Sequence, residues 1–210
     1  FYSKLENPNW VSPLLRHGAF KNPPGTSVMP DGLVRSDPWP EIDYLVRMAA
    51  IASKEVTEVF KGIAGSDNQW VRRGIMEAAS KLAPADAAKL VPFIKEWPGD
   101  RLANFRIHPD HVARLIIRLL ESGQRRAVSK LANAYFEPQA ALQTTKFRLA
   151  EPTAGLEPYW YAESLPAVAR ALGSGRLPTL IGWLKKHEQY SRSDNKKPLY
   201  DRSHIWRPSI

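Results

Sequence analysis

The sequence contains no cysteine, which excludes a disulfide frame, a thiolate nucleophile and a Cys-ligated zinc or iron–sulfur centre. A reducing compartment, and with it a cytoplasmic location, is the simplest reading. No apolar run approaches the roughly 20 residues a membrane span needs, and no charged-then-apolar segment opens the chain as a signal peptide would. The chain therefore reads as soluble, with no membrane partner. A Gly-rich phosphate loop is also missing: Gly62, Gly65 and Gly74 fall in a helical pattern or a turn and lack the accompanying lysine, so nothing supports nucleotide hydrolysis. Gly-x-Ser-x-Gly does not occur, and scattered Ser, His and Asp residues define no triad. What is present is globular in composition. The 210 residues are 43% apolar, 24% charged and 10% aromatic, enough chain to bury a core. Lys+Arg 30 against Asp+Glu 21 leaves +9, so a partner met through long-range fields is anionic. The start at Phe1 and the end at Trp206-Arg207-Pro208-Ser209-Ile210 set the expectation of a piece of a larger protein.

Three regions follow from texture. Residues 1–40 mix aromatics with Pro8, Pro13, Pro23, Pro24, Pro30, Pro38 and Pro40, a spacing that forbids long helices. One short amphipathic turn fits around Trp10 to Arg16, Phe20 and Trp39 suit the role of anchors to a core, and the region is expected to be an ordered, mostly irregular cap. Residues 41–190 change period. Tyr44, Leu45, Met48, Ala49 and Ala52 recur at three- and four-residue steps, as do Val56, Val59, Phe60 and Ile63, the stripes of amphipathic helices. Ser66-Asp67-Asn68 offers an N-cap before Trp70, Val71, Ile75, Ala78, Ala79 and Leu82. Pro84 opens a stripe of Ala88, Leu90, Val91, Phe93, Ile94 and Trp97. Pro109 and Asp110 suit a helix start, with Val112, Leu115, Ile116, Leu119 and Leu120 as its face. Ser122-Gly123 breaks it, and Ala127, Val128, Leu131, Ala132 and Tyr135 make its partner. Residues 137–157 read as a connector or an imperfect helix, and helices are predicted from Tyr159 to Leu172 and from Leu177 to about Tyr190. Residues 191–210 form a basic tail or linker. The fold class expected is all-α.

Helix pairs repeating at roughly forty residues point to an α-solenoid, in which each pair buries its apolar face only by stacking on its neighbours. The stretch Val56 to Trp97, with Ser66-Asp67-Asn68-Gln69-Trp70-Val71-Arg72-Arg73 at its inter-helix turn, resembles a HEAT repeat, whose turn commonly carries an Asp and whose second helix opens with an apolar-x-Arg element. The resemblance covers residues 42–136, with 158–189 as a looser match. It implies stacked antiparallel helix pairs behind the Pro-rich cap. A four-helix bundle satisfies the same helix count. Leu5 to Trp39, followed by Tyr44-Leu45, is also similar to segments that lead into helical regions of large bacterial multidomain proteins.

The excess charge is localised. Residues 1–100 and 151–189 are each balanced, whereas residues 101–150 carry nine basic and three acidic side chains. His111, Arg114, Arg118 and Arg125 recur at steps of three, four and seven, and Arg126 and Lys130 extend the series onto the next helix. Such a face can grip phosphates or carboxylates; the same pattern also describes a solvated outer face. His108-Pro109-Asp110-His111 invites a metal reading, but His108 precedes the helix and no third ligand follows at a recognisable spacing, so no metal and no cofactor is expected. Among the tryptophans, Trp70, Trp97, Trp160 and Trp183 fall in helical patterns and suit packing. Trp10, Trp39 and Trp206 lie in Pro-rich segments and serve as core or as anchors for a partner domain.

Some HEAT-like proteins are alkylpurine DNA glycosylases, and the Ser66 to Arg73 turn is locally similar to theirs. Their chemistry resides in a Trp-Trp-Asp helix start that this sequence lacks. Tyr159-Trp160-Tyr161-Ala162-Glu163 is the nearest group, placed later and with Glu for Asp. The expectation is thus a non-catalytic scaffold or recognition module that binds another protein or domain. The alternatives are nucleic-acid binding through residues 101–150 and, behind it, the glycosylase.

Overall fold

Prolines and side-chain caps divide the chain into short helices. The computed structural model describes residues 1–30, 34–99, 109–136, 139–140, 149–150 and 167–173, with residues 178, 181, 182 and 185. Among them run α1 (Val11–Arg16), β1 (Thr26–Val28), β2 (Val34–Ser36), α2 (Pro40–Met48), α3 (Ser53–Ile63), α4 (Gln69–Ala79), α5 (Pro84–Ile94), α6 (Pro109–Glu121), α7 (Arg125–Phe136) and the two-residue pair β3 (Gln139–Ala140) and β4 (Leu149–Ala150). Short 3₁₀ turns lie at Tyr2–Lys4, Pro8–Trp10 and Trp97–Gly99. The described residues are mostly helical with little strand, and none of their helices is long and apolar enough to cross a membrane.

Pro40, Pro84 and Pro109 each stand first in their helix, where the missing N–H has no intrahelical acceptor in any case. Pro13 sits at the third position of α1 and is tolerated for the same reason. Between α6 and α7, Gly123 takes φ +78°. Its N–H bonds Leu120 O at 3.0 Å and the Gln124 N–H bonds Leu119 O at 2.8 Å, the paired closure that needs a left-handed residue.

The stripes read from the sequence form the interior. Tyr44, Leu45, Met48, Val56, Val59, Phe60, Val71, Ile75, Leu90, Ile94, Leu115, Leu119, Leu131 and Tyr135 belong to one buried cluster, which Val11, Phe20 and Trp39 join from the N-terminal region. Trp39 is therefore core and not a partner anchor, while Trp10 is exposed and Trp206 lies outside the described residues. Phe93, counted with the apolar stripe of α5, faces solvent, and Trp70 is only half-buried. The N-terminal region also differs from the irregular cap expected: Thr26 to Val28 pairs antiparallel with Val34 to Ser36. Three-residue strands are too short for alternation to register in a sequence.

Beside the contacts of consecutive helices, α6 with α7 and α5 with α6 foremost, two offset series run through the core. α2 packs on α4 and α4 on α6, while α1 packs on α3, α3 on α5 and α5 on α7. Hydrogen bonds show the direction of one such contact. Ser53, first in α3, donates to Asp86 Oδ2 at 2.8 Å and accepts the Ala83 N–H at 2.9 Å, both at the start of α5. Just past the opposite ends, the Trp97 indole donates to Ala64 O at 3.1 Å. Corresponding ends meet, so α3 and α5 run the same way. In the other series, a Cβ on Gly74 would lie 2.2 Å from Ile42 Cγ1, so only glycine permits this approach of α2 to α4. The matched contacts span 33 residues for Ser53 with Asp86 and Ala64 with Trp97, then 38 for Ser80 with Arg118 and 41 for Ile94 with Tyr135. The first step is shorter than the expected forty.

The turn before α4 holds the N-terminal region in place. Asn68 is fully buried; its Oδ1 accepts the N–H groups of Trp70 (2.8 Å) and Val71 (3.3 Å), while Nδ2 donates to Pro24 O and Asp37 O, each at 2.9 Å. Thr26 donates its N–H to Asp67 Oδ1 and its hydroxyl to Asp67 O, and the Trp70 indole donates to Ser36 O. At the other edge, Tyr44 OH donates to Asn7 O at 2.9 Å, and Arg47 donates to Tyr2 O and Leu5 O.

Two outcomes follow. Asn68→Ala removes a helix cap worth about 1 kcal/mol and strands two carbonyls at about 1 kcal/mol or more each, so urea unfolding should show a loss on the order of 3 kcal/mol. Asn68→Ser, which restores the cap alone, should recover about 1 kcal/mol of it. Asp86 is held below the usual carboxylate range by its hydrogen bond from Lys89, then by that from Ser53, against the opposing effect of burial. Because its folded value lies below its unfolded one, its stabilisation is present above the unfolded value and is lost as pH falls through the folded value. Melting between about pH 6 and about pH 2.5 should therefore fall more steeply for the wild type than for Asp86→Asn.

Candidate functional site

The apolar stripe of α6 determines what its outer face offers. Val112, Leu115, Ile116 and Leu119 are buried, which turns Arg114 outward, its side chain 66% exposed. Arg114 Nη2 lies 3.9 Å from Asp110 Oδ2, the outer limit of an ion pair, and an exposed pair of this kind contributes little. Arg118, one turn further, is committed elsewhere: its Nη1 donates to Ser80 O at 2.5 Å. That carbonyl belongs to the C-cap residue of α4, where the partial negative charge of the helix end favours a cation. Arg118 thus joins α6 to α4 as a structural bond.

Arg125, Arg126 and Lys130 are all exposed on α7, and they form no ion pair with another described residue. The first turn of α7 holds no acid, so the positive helix end and two guanidinium groups reinforce one another. The six residues singled out by the sequence are accordingly divided. His111, Arg114 and Arg118 stand on α6, which packs on both α4 and α5, and Arg125, Arg126 and Lys130 on α7, which packs on α5 and on α6.

The sequence tally missed two cations that the fold adds to the α6 group. Arg73 on α4 and Lys81, two residues past its end, are exposed, hidden in a segment whose charges sum to zero. Lys81 Nζ pairs with Glu77 Oε1 at 2.8 Å, and the Arg73 guanidinium lies 5.9 Å from the Trp70 ring centre, a cation–π distance. Burial by itself would raise the Glu77 carboxyl, but the hydrogen bond and charge of Lys81, with His111 and Arg73 nearby, hold it below the usual range. Glu77 therefore stands between Arg73 and Lys81 with His111 of α6 nearby, and α6, which packs on α4, carries the exposed Arg114. The i, i+4, i+8 spacing of Arg73, Glu77 and Lys81 is the signal that could have revealed this stripe.

A shallow cleft of about 440 Å³ opens between Lys21, Pro23 and Gly25 and the Gly62, Gly65 and Asp67 side of the α3–α4 turn. Much of its wall is glycine, and the Asp67 carboxylate already accepts the Thr26 N–H, so it has few side chains with which to select a ligand. Among the described residues, no three His, Asp or Glu side chains gather as a metal site requires. His108, Trp160, Glu163, Trp183 and the basic tail from Arg192 to Arg207 lie outside the described residues. The chain matches no protein-family model, no curated protein and no solved structure.

Substitution separates the two kinds of arginine. Arg118→Ala should cost about 1 kcal/mol or more through the lost bond to Ser80 O, whereas Arg114→Ala and Arg126→Ala should stay within about 0.5 kcal/mol of the wild type. Thermal melts of the three variants, read by circular dichroism, make the comparison.

Proposed function

We propose that the chain is a HEAT-like α-solenoid module that acts without catalysis, as a scaffold or recognition surface for another protein or domain in the cytoplasm. The observation that carries this reading is the repeated offset contact. Ser53 meets Asp86 and Ala64 meets Trp97 at one common separation, and the linkages of Ser80 with Arg118 and Ile94 with Tyr135 repeat the pattern one step on. Stacked repeats place equivalent positions of successive units against each other in this way, whereas a closed bundle is built chiefly from antiparallel neighbours. Antiparallel pairing within α2–α3, α4–α5 and α6–α7 completes the arrangement. A stack of this kind presents long outer faces, and such faces suit recognition of other macromolecules.

The exposed Arg114, Arg125, Arg126 and Lys130 favour a second reading, in which the module binds nucleic acid. Fluorescence anisotropy of labelled single- and double-stranded DNA and RNA across a salt series tests the choice, with an Arg114/Arg125/Arg126→Gln variant alongside. The scaffold reading expects flat traces at about 0.15 M salt. Saturable binding whose log affinity falls steeply with log salt, and which the variant loses, replaces it with the nucleic-acid reading.

A further inference from the structure

The faces of the two helix series differ in what surrounds their charges. Along α4 and just past its end the charged groups are Arg73, Glu77 and Lys81, in steps of four residues, about 6 Å within a helix. On the neighbouring α6 it is Asp110 and then Arg114, with His111 close to Glu77. Cations outnumber acids in this band, yet each acid stands between or beside them. A row of phosphates laid across it would be forced against both Glu77 and Asp110. A polypeptide is under no such constraint, because an extended segment repeats its side chains on one face about every 7 Å and can put a neutral residue opposite each acid.

We infer that the α4–α6 face, through Arg73, Lys81 and Arg114, docks an extended acidic segment of a protein partner. This rests on the scaffold reading and assigns it a surface and a ligand chemistry. Carboxylates of the segment pair with the guanidinium groups of Arg73 and Arg114, whose planar donors suit them. Arg73 is steadied for this by the Trp70 ring, which restricts its side chain before the ligand arrives. Arg118 takes no part, because it is bound to Ser80 O. The basic residues of α7 are not required.

The experiment uses a fluorescein-labelled peptide of alternating Glu and Ser, its Gln/Ser counterpart, and an oligothymidylate of equal formal charge. Each is titrated by anisotropy at about 0.05 and about 0.15 M salt. The acidic peptide should bind saturably and the Gln/Ser peptide should not. Arg73→Glu with Arg114→Glu should weaken binding by about tenfold or more, while Arg126→Glu with Lys130→Glu should change it by less than about twofold. Glu77→Gln should tighten it, a gain that misfolding does not produce. Absence of acidic-peptide binding, or equal weakening by the α7 substitutions, overturns the docking proposal; with flat oligonucleotide traces the scaffold reading survives. Tighter binding of the oligonucleotide through Arg73 and Arg114 overturns both.

Discussion

The fold of the N-terminal half depends on one buried amide. Asn68 must cap α4 and, in the same geometry, satisfy the carbonyls of Pro24 and Asp37, which lie on either side of the β1–β2 hairpin. A planar amide with two acceptor directions and two donor protons meets both demands, and no hydroxyl or carboxylate can. Burial makes the arrangement strict, since a donor or acceptor left unpaired inside costs far more than a satisfied one contributes. The start of α4, the path of the hairpin and the entry to α2 at Pro40 are consequently set together.

That clasp matters because α2 alone cannot close its own end of the core. Tyr44 is fully buried, and the rings of Tyr2 and Phe20 pack over it at 6.3 and 6.5 Å, the latter nearly parallel. Without the cap these apolar surfaces would meet water, at about 25 cal/mol for each Å² exposed. Gly74 acts from within the helical core: with no Cβ it lets Ile42 press against the α4 backbone, and this permits the close approach of α2 to α4.

Helices were legible wherever one face repeats, as in Val56, Val59, Phe60 and Ile63, or where a proline or an Asx cap marks a start, as at Pro84, Pro109 and Asn68. The apolar pattern registers a sum of many contacts and tolerates single exceptions such as Phe93. What it does not carry is pairing between segments. The double duty of Asn68 joins residues 31 and 44 positions apart, and nothing local announces the Nδ2 bonds. The hairpin went unread because three residues per strand give no period, and Trp39 stayed ambiguous because a lone aromatic among prolines suits a core and an interface equally.

Charge shows the same limit more sharply. A tally by segment drew attention to residues 101–150 and treated the preceding hundred as neutral, yet neutrality along the chain does not survive folding. Arg73 and Lys81 reach the surface around Glu77, with His111 of α6 nearby, while one of the arginines that made the later segment conspicuous is bound to a helix end. The field a partner meets is set by which charges remain solvent-facing and what lies within a Debye length, about 8 Å at physiological salt. By that measure the acid among the cations is as informative as the cations. Burial would raise the Glu77 carboxyl, and Lys81, with His111 and Arg73 nearby, holds it below the usual range. Net charge sets the sign of a partner; the placement of the minority charge sets its class.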